Sequence, residues 1–273
     1  MDATVPAGRD RESGARVAAA GREFRAVIFD LDGVVTDTAT LHRRAWKALF
    51  DGFLAGHDPT QPPFTDEDYL SWVDGKNRSD GVRSFLASRS IATAEDAAPG
   101  TDIASVSRLA DRKDRLFHEL LDAEGVQTIA PTVDLLHRLR RAGVLVAAVS
   151  ASRNAAAVLA RAGLIDDFDT RVDGIDAERL GLAGKPDPAL FLEAARRMHT
   201  DPVEIVVIED AESGVAAAHR GGFGLVVGIG SKGRAHALER RGADVVVNGV
   251  DEVEWAIRGA GSPPAAHDRT STP

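Results

Sequence analysis

The chain has no cysteine, which excludes disulfides and thiolate-bound metal, although this alone fixes no cellular compartment. It lacks any apolar run approaching the roughly 18 residues of a membrane span. Its first residues lack the hydrophobic core of a secretion signal. It also lacks a dense basic run: 33 Lys and Arg stand against 42 Asp and Glu, for a net charge of −9. These absences argue against nucleic acid and membrane as partners and make a cytoplasmic protein the expectation. An anionic substrate would have to be held by local Lys and Arg and by a metal. What is there is ordinary for a soluble globule, with 44% hydrophobic and 27% charged residues. The 273 residues suffice for one large domain or for a core with a smaller companion.

The most informative stretch runs from Phe24 to Thr38. Ala26 to Phe29 is a short apolar run that reads as a buried strand. It ends in Asp30 and Asp32, two positions apart, followed by Gly33. Both carboxylates can lean into one pocket at the carboxyl edge of a parallel sheet, where open sheets bind ligands. Held close they repel, unless a divalent cation or a proton intervenes. An aspartate there can also attack phosphorus. The alternative is a plain Asp-rich turn.

Along the chain, residues 1–23 show no apolar period and read as a disordered tail. Asp2, Asp10, Glu12 and Glu23 argue against a transit peptide. Residues 38–126 read as helical, with helices from Thr38 to about Leu54, up to about Ser88, and from about Thr101 to Ala123. From Pro131 helices alternate with strands at 144–150, 168–172, 204–208, 225–229 and 244–247, the pattern of a parallel sheet. The expected fold is a doubly wound α/β, Rossmann-like parallel-sheet core (24–37 and 127–258) with an inserted α-helical cap (38–126). Residues 259–273 read as a second disordered tail.

Other strand ends carry further chemistry. Ser150-Ala151-Ser152-Arg153-Asn154 follows a buried strand and opens a helix, where a hydroxyl and free amides suit either an anion or an N-cap. Lys185, before the rigid Pro186-Asp187-Pro188, can neutralise phosphate oxygens. Glu209 and Asp210 end another strand, and carboxylates collected at strand ends suit Mg²⁺. In the helical block, Gly75, Lys76, Asn77 and Arg78 form a loop with two positive charges. Trp46 reads as packing between cap and core and as a wall of the pocket.

Asp30-Leu31-Asp32-Gly33-Val34-Val35-Thr36-Asp37-Thr38, with His42 and Arg44-Ala45-Trp46-Lys47-Ala48, resembles the first motif of the haloacid-dehalogenase-type phosphotransferases, and most closely their β-phosphoglucomutase branch. The resemblance extends through Ser150, Lys185 and Glu209-Asp210. It implies that Asp30 is the nucleophile, Asp32 the general acid/base, Ser150 and Lys185 phosphate binders, and Arg78 with Gly75 part of the substrate loop. His42 and Lys113 match positions that couple cap closure to the acid/base. It implies Mg²⁺ on the Asp30 side chain, the Asp32 carbonyl and Asp210, with Glu209 contacting it directly or through water. The substrate class implied is a small phosphorylated sugar, and a monomer is expected. One position departs from the pattern: Asp74 stands where a lysine is expected, with Lys76 the candidate to stand in. Three readings follow: a mutase interconverting β-glucose 1-phosphate and glucose 6-phosphate, a sugar-phosphate phosphatase using the same site, or a non-catalytic binding protein with the same fold.

Overall fold

A computed structural model describes residues 16–93 and 105–258. Strands β1 (Arg16–Ala19) and β2 (Arg22–Phe24) form a hairpin whose two-residue loop, Ala20-Gly21, has positive φ at both positions, 49° and 74°. Such turns match the twist of paired strands. This corrects the tail expected over 1–23: residues 16–23 are ordered, and the remainder of that tail lies outside the described residues. The alternation was hidden because the buried residues of β1 are only Val17 and Ala19, set among Arg and Ala.

Strand β3 (Ala26–Asp30) is buried along its whole length. It is followed by the cap: α1 (Thr38–His57), α2 (Asp66–Asp68), a π-helical turn at Tyr69–Val73, α3 (Arg78–Ser88) and α4 (Val106–Glu124). Expected helical residues 101–104 lie outside the described ones. Trp46, Phe50, Phe64, Phe85 and Leu109 form a cap core of their own. Leu41 and Ala45 of α1, with Phe117 and Leu121 of α4, join instead the main core. The two crossings between cap and core are tied together: Asp37 N–H donates to Gln127 O at 2.9 Å and Ile129 N–H to Val35 O at 2.9 Å.

The rest of the chain alternates. In order come α5 (Ala130–Ala142), β4 (Leu145–Val149), α6 (Ala155–Arg161), β5 (Thr170–Val172), α7 (Gly174–Leu180), α8 (Ala189–Arg197), β6 (Ile205–Glu209), α9 (Glu212–Arg220), β7 (Leu225–Ile229), α10 (Lys232–Arg241), β8 (Val245–Val247) and β9 (Ala256–Arg258). Six strands form one parallel sheet in the order β5-β4-β3-β6-β7-β8. Strand residues alternate between two cores. Val27 and Phe29 face one with Leu135 and Val158, while Ala26 and Ile28 face the other with Phe191 and Val215. This is the doubly wound core with a helical cap that the helix–strand pattern predicts. The chain order reverses at β3, so the crevice for a ligand falls at the carboxyl ends of β3, β4 and β6. Strand β9 pairs antiparallel with β1, Val17 opposite Ile257, in a separate three-stranded sheet. No described helix is long and apolar enough to cross a membrane.

Helices α7 and α10 have no counterpart in the sequence expectation. Seven residues are too few to show a period, and α10 buries only Leu238.

Candidate active site

Parallel register sets the ends of β3 and β6 side by side, which brings Asp30, Glu209 and Asp210 together. One carboxylate oxygen from each lies within 4.8 Å of the others. Lys185, delivered by the loop before α8, donates to Asp30 Oδ1 and Glu209 Oε1, each at 2.5 Å. The second oxygen of Glu209 accepts from Ala211 N–H at 2.7 Å. Fully buried, Glu209 seats the lysine, a role the metal-contact expectation did not include. Against its burial, the Asp30 and Glu209 carboxylates hold Lys185 well above the usual lysine range. Burial, with Glu209 and Asp32 nearby, pushes the Asp30 carboxyl up against the pull of Lys185. Burial and the charges of Asp74, Glu209 and Asp30 push Asp210 up too. Glycine makes the cluster possible: at Gly33, with φ of +90°, a β-carbon would collide with the Asp210 carboxylate. Crowded oxygen donors that raise one another's pKa are a donor set suited to a hard divalent cation.

Asp32 sits beside this cluster as a hydrogen-bond acceptor. Thr38 Oγ1 donates to its Oδ1 at 2.5 Å, Ser150 Oγ to its Oδ2 at 3.1 Å, and His42 Nε2 lies 3.4 Å from Oδ1. Despite burial, His42 and these hydroxyls hold Asp32 well below the usual carboxylate range. His42 stacks on Phe117, ring centres 4.0 Å apart, and its Nδ1 meets the Lys113 ammonium. Burial and the Lys113 charge lower the His42 pKa, and burial lowers Lys113 to about 7. Asp32, His42 and Lys113 thus form a contiguous chain of contacts, with Trp46 under Lys113 at 5.2 Å. Ser150, for which the resemblance implies phosphate binding, directs its hydroxyl to Asp32 and accepts Ser152 N–H at 3.0 Å.

The cap lies against the core. A β-carbon on Gly75 would stand 2.8 Å from Ala211 Cβ, and one on Gly184 would stand 2.7 Å from Asn77 Nδ2. Ser213 Oγ donates to Asp74 O at 2.9 Å. Burial pushes the Asp74 carboxyl up to about 6, against the Arg234 charge. Lys76, the candidate to stand in for the missing cap lysine, donates to Ser84 Oγ at 2.8 Å rather than meeting Asp74. Arg78 pairs with Asp114, to which Asn154 Nδ2 also donates at 2.9 Å. Arg153 Nη1 lies 2.7 Å from Glu178.

Between cap and core is a cavity of about 380 Å³. Its lining includes Asp30, Asp32, Lys185 and Asp210 as well as His42, Trp46 and Lys113. Gly75, Lys76, Asn77 and Arg78 contribute from the cap loop, and Ala151, Ser152, Arg153 and Asn154 from the turn after β4. Of the residues predicted for the site, Ser150 and Glu209 stand behind its wall. Sequence reasoning missed Thr38 as a bond to Asp32, and Asp114, Glu178 and Arg234. Asp114 adjoins Lys113 and was accessible by adjacency. Arg234 lies in a polar helix with no distinguishing spacing.

Residues 24–222 match the profile of the haloacid dehalogenase-like hydrolases, and the chain belongs to that family. Within it, the chain falls in the β-phosphoglucomutase-like branch. It is 44% identical over 247 residues to a β-phosphoglucomutase of Mycobacterium bovis, covering 87% of this chain and 94% of the relative. It is 33% identical to the Bacillus subtilis β-phosphoglucomutase, covering 82% and 89%. The crystal structure of a Clostridium difficile β-phosphoglucomutase superposes with a TM-score of 0.66 at 26% identity, covering 84% and 92%. The chain is accordingly an enzyme of phosphoryl transfer, a β-phosphoglucomutase or a closely related phosphatase.

Proposed function

We propose that this enzyme is a Mg²⁺-dependent β-phosphoglucomutase that interconverts β-glucose 1-phosphate and glucose 6-phosphate through a phosphoryl group carried on Asp30. The observation that carries this reading is the single cavity in which Asp30 and Lys185 line one part and Arg78, Ser152, Arg153 and Asn154 another. Two regions with cationic and amide groups in one cavity suit a sugar carrying two phosphates. Asp30 and Asp210, with the Asp32 carbonyl, would hold Mg²⁺. When bound, the ion would offset negative charge on the transferring phosphoryl oxygens.

Asp30 is the nucleophile. Lys185 fixes its orientation and neutralises charge beside it. Asp32, held ionised by His42, Thr38 and Ser150, begins as a base. When the phosphoryl group on Asp30 passes to the 6-hydroxyl of β-glucose 1-phosphate, Asp32 takes the hydroxyl proton. The bisphosphate then presents its 1-phosphate to Asp30, and Asp32 returns that proton to the departing oxygen. Proton and phosphoryl group are both restored at the end of the cycle. The closed cap excludes water, which would otherwise take the phosphoryl group.

A phosphatase of the same site is the second reading, favoured by Asp74 where the branch pattern calls for a cap lysine. The discriminating experiment supplies Mg²⁺, β-glucose 1-phosphate and a trace of glucose 1,6-bisphosphate, and counts glucose 6-phosphate and free phosphate in one tube. The expected product is glucose 6-phosphate, lost in Asp30→Asn. Free phosphate as the main product would make the enzyme a phosphatase. Neither product, with folding intact, would turn the search to other sugar phosphates.

A further inference from the structure

One side chain outside every motif joins cap and core behind the cavity. Arg234 of α10 places Nη2 at 3.3 Å from Asp74 Oδ2 and donates from the same nitrogen to the Asp210 carbonyl at 2.9 Å. Asp74, 9% exposed, ends the π-helical turn of the cap. Asp210 carries one carboxylate of the acidic cluster. A single guanidinium therefore touches the cap and the β6–α9 loop that carries Asp210. The same loop receives the cap in other ways: Ser213 Oγ bonds to Asp74 O, and Gly75 has no room for a β-carbon against Ala211.

Within the cap, Asp74 also bonds to the Tyr69 hydroxyl and feels the Arg43 charge, so Arg234 is its ionic partner from the core. Losing a countercharge from a buried carboxylate is disfavoured. A buried ion pair adds little net stability over an apolar contact, but it demands one geometry. Such a pair across a cap–core boundary acts as a register device more than as an adhesive.

We infer that Asp74 and Arg234 are a positioning pair: cap closure forms their ion pair and, through the Arg234–Asp210 bond, fixes the β6–α9 loop so that the Asp210 carboxylate is set only under a closed cap. The inference rests on the Mg²⁺-dependent phosphoryl transfer proposed above and explains why the cap position carries an acid: the cation is supplied from the core. Closure and completion of the acidic cluster become one event, which keeps the phosphoryl group from water.

The test uses the full chain as Asp74→Ala, Arg234→Ala, both together, and Arg234→Lys, with two readouts. The first is amide hydrogen exchange over 74–78 and 210–214 with Mg²⁺ present. The second is the ratio of glucose 6-phosphate to free phosphate from β-glucose 1-phosphate. Either alanine variant is expected to lose protection in both segments at once. Each should also slow glucose 6-phosphate formation roughly tenfold, the scale of one charge-assisted hydrogen bond, while the share of free phosphate rises. The double variant should be no worse than the worse single, as for residues acting as a unit. Arg234→Lys should restore part of both and guards against a variant that fails to fold. Unchanged exchange at 210–214 in Asp74→Ala, or fully additive losses, would overturn the inference while leaving the mutase reading intact. A wild type that releases only free phosphate would defeat the mutase reading, and coupled exchange would still stand for the pair.

Discussion

At the scale of single residues, Lys113 holds the sharpest conflict between burial and charge. It is 5% exposed, its ammonium lies over the Trp46 and Phe117 rings, and its pKa falls from 10.5 to about 7, chiefly through burial. The unfolded chain keeps this proton up to its ordinary pKa, whereas the folded chain gives it up near 7. Between these limits the unfolded state binds more protons, so stability rises with pH across that window and levels off below it. Lys113 thus destabilises the neutral-pH fold in order to stand against His42. Lys113→Met, similar in length and uncharged, is expected to unfold at higher urea than the wild type at pH 7. The difference should shrink by pH 10, as urea curves at both values would show. Turnover should fall because His42 Nδ1 loses its partner and Asp32 its fixed neighbour. Gain of stability with loss of activity is the usual pattern for a functional buried charge. Equal midpoints at pH 7 would refute the assignment.

The elements explain why some of this was legible and some was not. Asp30 and Asp210 announce themselves because each follows a short apolar run, and Lys185 because it precedes a rigid Pro pair; a parallel sheet brings such strand ends together. The contacts of Ser150, Glu209 and Arg234 do not follow from any spacing, since they depend on how loops from different strands meet. The small hairpin was missed because its pattern is carried by alanine. The cap loop lies between these cases: its glycine and arginine could be read, but its fit against the β6–α9 loop could not. That fit yields a prediction. Gly75 has φ of +69°, and a β-carbon there would press on Ser213 and Ala211. Gly75→Ala therefore strains the turn and wedges the cap away from the core. Turnover of β-glucose 1-phosphate should fall roughly tenfold or more, since misplacement by about an ångström is enough to lose that much. Hydrolysis of a small chromogenic phosphate ester, which needs no closed cap, should fall less. Parallel losses on both substrates would mean the glycine serves the fold rather than closure.

Across the whole molecule, chemistry and fastening lie at opposite edges of the sheet. The candidate active site occupies the carboxyl ends of the strands, while β1, β2 and β9 tie the first and last described segments to the core. Phe24, at the end of β2, is 1% exposed and belongs to the main core cluster with Val17, Val27 and Leu225. Gly224 makes room for it: a β-carbon there would stand 2.9 Å from Phe24 Cε1. Arg25 N–H donates to Glu204 O at 2.8 Å, so the hairpin leads straight into the amino edge of β3. Phe24→Ala opens a cavity in this joint and is expected to lower stability by about 3 kcal/mol or more. Asp30 lies six residues further along, about 20 Å at the rise of an extended chain. The folded fraction should therefore keep its turnover within about twofold, because a substitution this far from the reacting groups, sharing no partner with them, acts independently. Urea unfolding, followed together with the coupled product assay below the transition, would check both halves of the claim. A fall in turnover without a shift in the unfolding midpoint would show that the hairpin acts on the site rather than fastening the chain.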